Sequence, residues 1–316
     1  MRIGVLLAGL IGLAIALYVI AHVGFAAVIA ALTSVGWAGL GFLCLFGLAQ
    51  FLVLGAAWFC LMPKGRLPLF VWGRMVRDAA GEVLPFSQLG GIVIGIRALS
   101  LSGMGTADAS ASAIVDVTTE MMAQIVFILI GAALLAMRSA GSLPPGTPAG
   151  IVVVLAGSLA FVVLQRRGIA LAEKLAARYL PAMAAHTRDF RGRVQAIYAN
   201  PARLAASSGL HLIGWTASAF GVWLSVRLIG GRIGWTGAIA IEAVLCALRS
   251  AAFVVPGALG VQEAGYAMMM PLFGLPPELG LAVSLLKRAR EIVIGGPVLL
   301  VWQGLEGRRA LAAPGP

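Results

Sequence analysis

The chain has 316 residues, of which 60% are hydrophobic and only 11% are charged. Soluble domains contain about 25% charged residues, so this composition excludes a soluble enzyme, a disordered chain and a disulfide-stabilised secreted domain. The 23 Lys and Arg residues outnumber the 12 Asp and Glu residues. In so apolar a chain, that excess points to membrane topology and anionic lipid contact, not to nucleic-acid binding. The sequence therefore predicts an all-α polytopic membrane protein.

Six apolar runs have about the 20 residues that a membrane-spanning helix needs. They cover residues 3–23, 37–61, 111–137, 149–165, 205–229 and 279–302. The first run follows Arg2 and lacks a clear small-residue cleavage site, so we expect an uncleaved helix and not a signal peptide. The last run includes the charged residues Lys287, Arg288, Arg290 and Glu291.

Two further apolar regions, 69–101 and 235–273, are interrupted by helix-breaking residues. The breaking residues are Pro85, Gly90 and Gly91 in the first region and Pro256, Gly257 and Gly260 in the second. At membrane depth, backbone groups freed by such breaks are tolerated only beside protein or a water-filled cavity. We predict that each region is a re-entrant hairpin of two helices that leaves the membrane on the side it entered. A single long kinked helix is the alternative.

Basic residues predict the orientation of the chain. The connection 166–203 contains eight Lys or Arg residues and two acids, whereas 141–148 has no charge. Lys64, Arg66, Arg74 and Arg77 follow the second span and are counted with the basic connections. The positive-inside rule then places these connections and both termini in the cytoplasm. Residues 169–180 fit either an amphipathic helix on the inner leaflet or a solvated basic loop.

An offset of 171 residues aligns the two broken regions. The aligned pairs are Pro85 with Pro256, Gly103 with Gly274, Ala111 with Ala282, Asp116 with Lys287 and Glu120 with Glu291. We predict a single transmembrane domain, 1–316, with repeat 1 at about 69–137 and repeat 2 at about 235–305. Three spans separate the hairpins, so the repeats are expected to be inverted across the membrane. This architecture is typical of transporters, whose binding sites lie where broken helices meet.

Polar side chains within these apolar segments form the candidate site. Asp116 and Glu120 share one helix face, which cannot point at lipid because each charge costs about 2.5 kcal/mol or more at the bilayer centre. The expected substrate-binding residues are Arg97, Arg249, Lys287, Arg290, Gln88 and Gln262. The expected charge-network or proton-coupling residues are Asp116, Glu120, Glu263 and Glu291. Because arginine binds phosphate bidentately, we predict a cavity for an anionic lipid headgroup.

A purely structural interpretation of the same charges is the alternative. In that case Arg97 would pair with Asp116, and Lys287 or Arg290 with Glu120, and the pairs would only fix helix packing. Other chemistry is not indicated: His22, His186 and His211 have no partner at metal-ligand spacing, and no phosphate-binding loop or serine-nucleophile motif occurs. We expect no metal, no cofactor, no catalytic residue and no nucleic-acid partner. His211 is expected to be a lone polar residue packed between helices.

Four stretches resemble a known family: EVLPFSQLGG at 82–91 with Arg97, IVDVTTE at 114–120, VPGALGVQE at 255–263 and LLKRARE at 285–291. They resemble the flippase-like membrane domain of lysylphosphatidylglycerol synthases and, within that superfamily, the hopanoid-biosynthesis-associated membrane proteins. The resemblance covers nearly the whole chain. It implies lipid translocation between the leaflets of the bacterial inner membrane, with inverted hairpins around the lipid site. It carries over the site residues Arg97, Asp116, Glu120, Arg249, Glu263, Lys287, Arg290 and Glu291.

The chain ends soon after Trp302, so the soluble aminoacyl-transfer domain of the full-length synthases is not expected. Candidate lipids are a hopanoid-linked lipid, another phospholipid and a polyprenyl-phosphate carrier. The leading hypothesis is an energy-independent or proton-coupled lipid translocator. One alternative is a membrane-embedded transferase acting on a lipid headgroup, with Glu263 as its candidate residue. The other is a non-catalytic scaffold of a lipid-biosynthesis pathway, which would depend on the basic connection.

Overall fold

The computed structural model describes residues 25–62, 65–83, 87–138, 156, 181–252 and 255–312, and within them it contains nine α-helices and no strand. The helices are α1 (Phe25–Leu61), α2 (Leu67–Val83), α3 (Ser87–Leu101), α4 (Thr106–Arg138), α5 (Pro181–Tyr198), α6 (Pro201–Leu228), α7 (Trp235–Ala251), α8 (Val261–Met269) and α9 (Pro277–Ala312). Short 3-10 turns, Pro256–Ala258 and Met270–Phe273, flank α8. The predicted spans 3–23 and 149–165 and the segment 169–180 lie outside the described residues.

Three described segments are long and apolar enough to cross a membrane. They are Val35–Leu61 in α1, the whole of α4 and the whole of α6. These segments overlap the predicted spans 37–61, 111–137 and 205–229. A kink at Gly36, where φ is 61°, separates the apolar run of α1 from its first residues. The all-helical membrane class therefore agrees with the sequence, whereas the full number of spans stays a prediction.

Helices α2 and α3 pack side by side in an antiparallel hairpin, and glycine makes the contact close. A Cβ atom built on Gly91 would lie 2.4 Å from the carbonyl oxygen of Arg77, and one on Gly95 would lie 2.8 Å from the Arg77 Cβ. Further along, a Cβ on Gly73 would lie 2.8 Å from the Leu99 side chain. The Gly-x-x-x-Gly spacing of Gly91 and Gly95 therefore allows the two backbones to approach.

A second antiparallel hairpin consists of α7 and α8. A Cβ on Gly265 of α8 would lie 2.6 Å from Leu245 of α7. The chain reverses between them through the Pro256–Ala258 turn, where Gly257 has a φ of 55° and Gly260, just before α8, has a φ of 77°. These positive φ values favour glycine, because a side chain strains the left-handed region. Whether either hairpin is re-entrant in the membrane stays a prediction.

The two hairpins begin units of the same helix order. In both units a 17-residue arm, a break and a second arm precede a left-handed glycine and a long helix. The long helices α4 and α9 begin at Thr106 and Pro277, which are 171 positions apart. The left-handed glycines, Gly103 and Gly274, are separated by the same offset. The helix boundaries therefore follow the register that the sequence alignment used.

The two units run in opposite directions. Helix α4 is antiparallel to α7, because Gln124 hydrogen-bonds to Ser250 and Gly131 faces Ala243. Helix α2 is likewise antiparallel to α9, since Ala79 faces Gly295 and Val76 packs in one cluster with Val298. Helix α8 is antiparallel both to α7 before it and to α9 after it, so α7 and α9 are parallel to each other. Each arm and each long helix therefore opposes its counterpart in the other unit.

Candidate functional site

The first arms of the two hairpins, α2 and α7, end at one place, beside the second break. Glu82, in the last turn of α2, accepts a hydrogen bond from the Nη2 of Arg249, in the last turn of α7, at 2.8 Å. A Cβ atom built on Gly257 would lie 3.1 Å from the Glu82 carbonyl oxygen and from its Oε2. The Glu82 and Arg249 side chains are 29% and 32% exposed. We name this contact, formed by Glu82, Arg249, Gly257, Glu263 and Arg288, the hairpin junction.

Glu263 and Arg288 hold the second break in shape. Glu263 Oε2 accepts the backbone N–H of Gly260 at 2.8 Å, which satisfies a free donor at the start of α8. Arg288 of α9 donates to Glu263 and also to the carbonyl oxygen of Gly257, at 3.0 Å in the second contact. Ser284 donates to Glu263 as well, at 3.1 Å. The junction therefore contains two arginines, each already held by one carboxylate.

A larger buried network lies between α2, α4 and α6. Arg77 donates to Asp116 and to Glu120, both at 2.7 Å, and Arg74 donates to both carboxylate oxygens of Glu120 at 2.5 and 2.9 Å. His211 of α6 lies with its Nε2 2.9 Å from the other Asp116 oxygen. Asp116 and His211 are fully buried. We call this group of five residues the Asp116 network.

A second buried network links α6, α7, α8 and α9. Lys287 donates to Glu242 Oε1 at 2.7 Å and to the Tyr266 hydroxyl at 2.8 Å. The Tyr266 hydroxyl donates to Glu242 Oε2, and Ser218 donates to Glu242 Oε1, both at 2.5 Å. The carboxylate of Glu242 is thus satisfied on both oxygens while Lys287 balances its charge. We call Ser218, Glu242, Tyr266 and Lys287 the Lys287 network.

Comparison with protein families agrees with this helical, charge-containing architecture. The family described as the lysylphosphatidylglycerol synthase TM region matches residues 4–296. The chain belongs to this family. Membership indicates a membrane protein with a lipid-related function, and it confirms the superfamily that the sequence stretches resembled. The hopanoid branch stays a prediction. No curated protein matches the chain, and no solved structure matches it.

The site residues that the family resemblance implies do not all lie together in the structure. Arg249 and Glu263 are in the hairpin junction, whereas Asp116 and Glu120 are in the Asp116 network and Lys287 is in its own network. Gln262 donates to Ser284 at 3.1 Å, next to the junction. Gln88 lies in the first turn of α3, and Pro85 lies outside the described residues. These positions leave the assignment of substrate-binding roles a prediction.

The pairings of Arg97, Lys287 and Arg290 that the purely structural alternative named are wrong. Arg97 is half exposed and donates to Glu306 of α9 at 2.7 Å, so it does not reach Asp116. Glu120 pairs with the two α2 arginines and not with Lys287 or Arg290. The reason is that α2 lies against α4 with its arginine face inward, while Arg97 points out from the opposite arm of the hairpin.

Two basic residues that were counted with the cytoplasmic charges are in fact buried. Arg74 is 4% exposed and Arg77 is 3% exposed. His211 also has a partner, Asp116, and is not a lone polar residue, although its Nδ1 has no partner among the described residues. In a sequence, a basic residue in a loop after a span cannot be told from one that is buried in the next helix. The positive-inside rule therefore counted these arginines as cytoplasmic loop charges.

Four residues that the structure places in these groups were not among the predicted site residues. Glu82, Glu242, Tyr266 and Arg288 take part in the junction or the Lys287 network. Glu242 was the one with a clear signal, since a single acid interrupts the apolar run of α7. Among the described residues, no group of three or more His, Cys, Asp or Glu side chains could hold a metal ion.

Proposed function

We propose that the chain moves a lipid with an anionic headgroup between the two leaflets of the bacterial inner membrane, with the hairpin junction as the headgroup site. The single observation that supports this best is the contact of Glu82 with Arg249, which joins the ends of the two arms that lead into the breaks. In transporters built from opposed repeats, broken helices meet at the site that must face either side of the membrane in turn.

The charges of the junction suit a phosphate that arrives and leaves. Arg249 and Arg288 are bound by Glu82 and Glu263, so neither guanidinium is uncompensated before a lipid arrives. A lipid phosphate offers the same bidentate acceptor geometry as a carboxylate. The phosphate can therefore take the place of Glu82 on Arg249, because Glu82 is 29% exposed and regains water when it is released, whereas Glu263 stays bound at the break. Such an exchange suits a translocator, since tight binding would stop the lipid from leaving.

The two buried networks support a role in positioning. Each ties a hairpin arm to the long helix of its own unit, Arg77 to Asp116 in the first unit and Glu242 to Lys287 in the second. Their groups are almost completely buried, so they are less accessible to a headgroup than the junction. In this proposal the networks keep each unit rigid, and the units move against each other at the junction.

We propose a transporter and not an enzyme. We also propose that both termini lie in the cytoplasm, as the basic connections suggest. Both oxygens of Glu263 already accept hydrogen bonds from Gly260, Ser284 and Arg288. That arrangement suits a residue that holds the break, whereas a general base would need a free oxygen directed at substrate. The lipid is proposed to be a phospholipid, a hopanoid-linked lipid or a polyprenyl phosphate.

The test is lipid movement in vesicles that contain the purified protein. A fluorescent phosphatidylglycerol in the inner leaflet becomes accessible to an impermeant reductant only when it crosses. We expect the wild type to accelerate crossing and Arg249→Gln to reduce the rate at least about tenfold, as the loss of a charge-assisted bidentate contact implies. Arg138→Gln, an exposed arginine at the end of α4, is the matched control.

Three outcomes would overturn the proposal or part of it. Crossing in wild-type vesicles at the rate of protein-free vesicles would remove the transport function. Appearance of a new covalent lipid product by mass spectrometry, without crossing, would instead establish a transferase. Equal rates for wild type and Arg249→Gln would remove the junction from the transport site.

A further inference from the structure

Arg290 of α9 is a largely buried cation that has no carboxylate closer than 3.9 Å among the described residues. Its side chain is 13% exposed, and the acid nearest to it is the adjacent Glu291, at 3.9 Å from its Nη2. The other described cations of similar or greater burial each have a carboxylate oxygen at 2.5–2.7 Å, namely Arg74, Arg77, Lys287 and Arg288. A guanidinium within a membrane-spanning protein is costly unless an anion accompanies it.

Two glycines let the Arg290 side chain reach between α1 and α6. A Cβ atom on Gly47 of α1 would lie 3.2 Å from Arg290 Cδ. A Cβ atom on Gly221 of α6 would lie 3.7 Å from Arg290 Nη1 and 3.5 Å from the ring of Phe46. The guanidinium therefore ends at the α1–α6 seam, beside Phe46.

An apolar groove opens on the same seam. It has a volume of about 420 Å³ and is lined by residues that include Phe46, Leu212, Ile213, Phe220 and Trp235. Its lining on α6 extends from Gly209 to Phe220. At a rise of 1.5 Å per residue, that length is about 16 Å, which suits much of one extended acyl chain. Phe46 belongs to both features, so the groove begins where the guanidinium ends.

We propose that the α1–α6 seam binds one anionic glycerophospholipid, with its phosphate on Arg290 and one acyl chain in the groove. This inference rests on the proposed function, because the seam is then the lateral path by which a lipid approaches the hairpin junction. The phosphate supplies the bidentate acceptor that Arg290 lacks. A net negative lipid fits better than a zwitterionic one, because the guanidinium brings a positive charge to the seam and no described acid other than Glu291 lies within 4 Å of its nitrogens.

Trp235 provides a direct readout, because it lines the groove and is 40% exposed. The protein is placed in phosphatidylcholine nanodiscs that contain a small fraction of phosphatidylglycerol with brominated acyl chains, which quench nearby tryptophan. Nanodiscs with brominated phosphatidylcholine at the same fraction are the reference. The emission of Trp235 is isolated by subtracting the signal of Trp235→Phe in the same nanodiscs.

We expect brominated phosphatidylglycerol to quench Trp235 at a concentration about tenfold lower than brominated phosphatidylcholine does. Arg290→Gln should remove that difference, and Arg138→Gln should retain it. Gly221→Leu, which fills the passage beside Phe46 and keeps every charge, should also remove it, and it serves if Arg290→Gln does not fold. Equal quenching by the two lipids in the wild type would overturn the proposal, as would a preference that persists in both variants.

Two further measurements separate the sources of failure. Removal of the preference by millimolar inorganic phosphate would show a phosphate site without lipid selectivity and would overturn the acyl-chain part of the proposal. Lipid movement is measured on the same preparations. An intact preference without movement supports the seam and overturns the proposed function, whereas movement without a preference overturns the seam alone.

Discussion

Asp116 and Lys287 occupy equivalent positions in the two opposed units and have opposite charges. Each lies ten positions after the first residue of its long helix, α4 or α9. Their counterparts are exchanged as well: Arg74 and Glu242 each lie seven positions after the first residue of a 17-residue arm. Within the two networks, the first unit thus has its cations on the arm and its acids on the long helix, whereas the second unit has its acid on the arm and its cation on the long helix.

This exchange has a physical consequence for a duplicated architecture. If both units kept the same signs, the polar centre of the protein would contain two like-charged long helices. With exchanged signs, each unit is compensated internally, and arm-to-helix attraction is preserved in both. The units can then move relative to each other without separating any of these charges, which agrees with their proposed role as rigid bodies.

Asp116→Asn is expected to destabilise the protein strongly. His211 would lose its charged partner and Arg77 would keep only Glu120, and removing one member of a buried network of this kind costs about 3–5 kcal/mol. Thermal unfolding in detergent, followed by circular dichroism, measures the effect. Asp78→Asn is the matched control, because Asp78 also binds Arg74 but is 32% exposed and contributes about 1 kcal/mol or less. Similar losses of Tm in the two variants would contradict the buried network.

Glu242→Gln and Lys287→Met are each expected to be destabilising, while the double variant should be close to wild type. Each single change leaves one buried charge unpaired, whereas the double change removes both. A double-mutant cycle of unfolding free energies should give a coupling of about 2–3 kcal/mol. Tyr266 and Ser218 remain as hydrogen-bond donors for the amide oxygen that the Glu242→Gln change introduces. Additive effects would show that the pair is not coupled.

Reversing the charges of Glu82 and Arg249 together should restore part of the lipid-crossing rate that each single reversal removes. Glu82→Arg places a second cation beside Arg249, and Arg249→Glu places a second acid beside Glu82, so both should lower the rate of lipid crossing. The double variant restores an ion pair of the opposite sense. Its crossing rate should recover at least partly toward wild type, measured in the vesicle assay. A double variant as inactive as the worse single variant would argue against direct contact of Glu82 with Arg249.

Gly257→Ala tests the close approach at the junction. The added methyl group would lie 3.1 Å from Glu82 at a residue whose φ is 55°. Gly274→Ala is the matched control, because its φ is 73° but a Cβ there has no atom within 4 Å. Both variants suffer similar backbone strain, of order 1–3 kcal/mol. Only Gly257→Ala should slow lipid crossing several-fold, and equal slowing would assign the effect to strain alone.

Gly91→Ala tests the packing of the first hairpin. Its methyl group would meet the Arg77 carbonyl oxygen at 2.4 Å, so α2 and α3 would have to separate, at a cost of about 1–3 kcal/mol. Gly41→Ala, within α1, has nothing within 4 Å of its Cβ and should be stabilising by up to about 1 kcal/mol. Tm values that change in the same direction for both variants would refute the close contact of α2 and α3.

The amino-acid sequence determined the helical elements and their order. Apolar runs of membrane length became α1, α4 and α6, and Gly257 and Gly260 lie at the second hairpin break, whereas Gly90 and Gly91, which were also predicted as breaks, lie inside α3. These features are local, since backbone hydrogen bonding within one segment and the φ preference of glycine decide them. The inward face of α4 was equally local, because Asp116 and Glu120 are one helical turn apart. The offset of 171 residues anticipated the matching starts of the long helices.

Only the tertiary structure decided which charges meet. Asp116 binds Arg77, which lies 39 positions away, whereas Arg97 turns outward to Glu306. Glu82 reaches Arg249 across 167 positions. Such pairings depend on how whole helices cross. A charged residue joins a buried network or an exposed ion pair according to which face of its helix it occupies. Periodicity along one helix shows which side chains share a face, but the partner of that face is set by packing between distant segments.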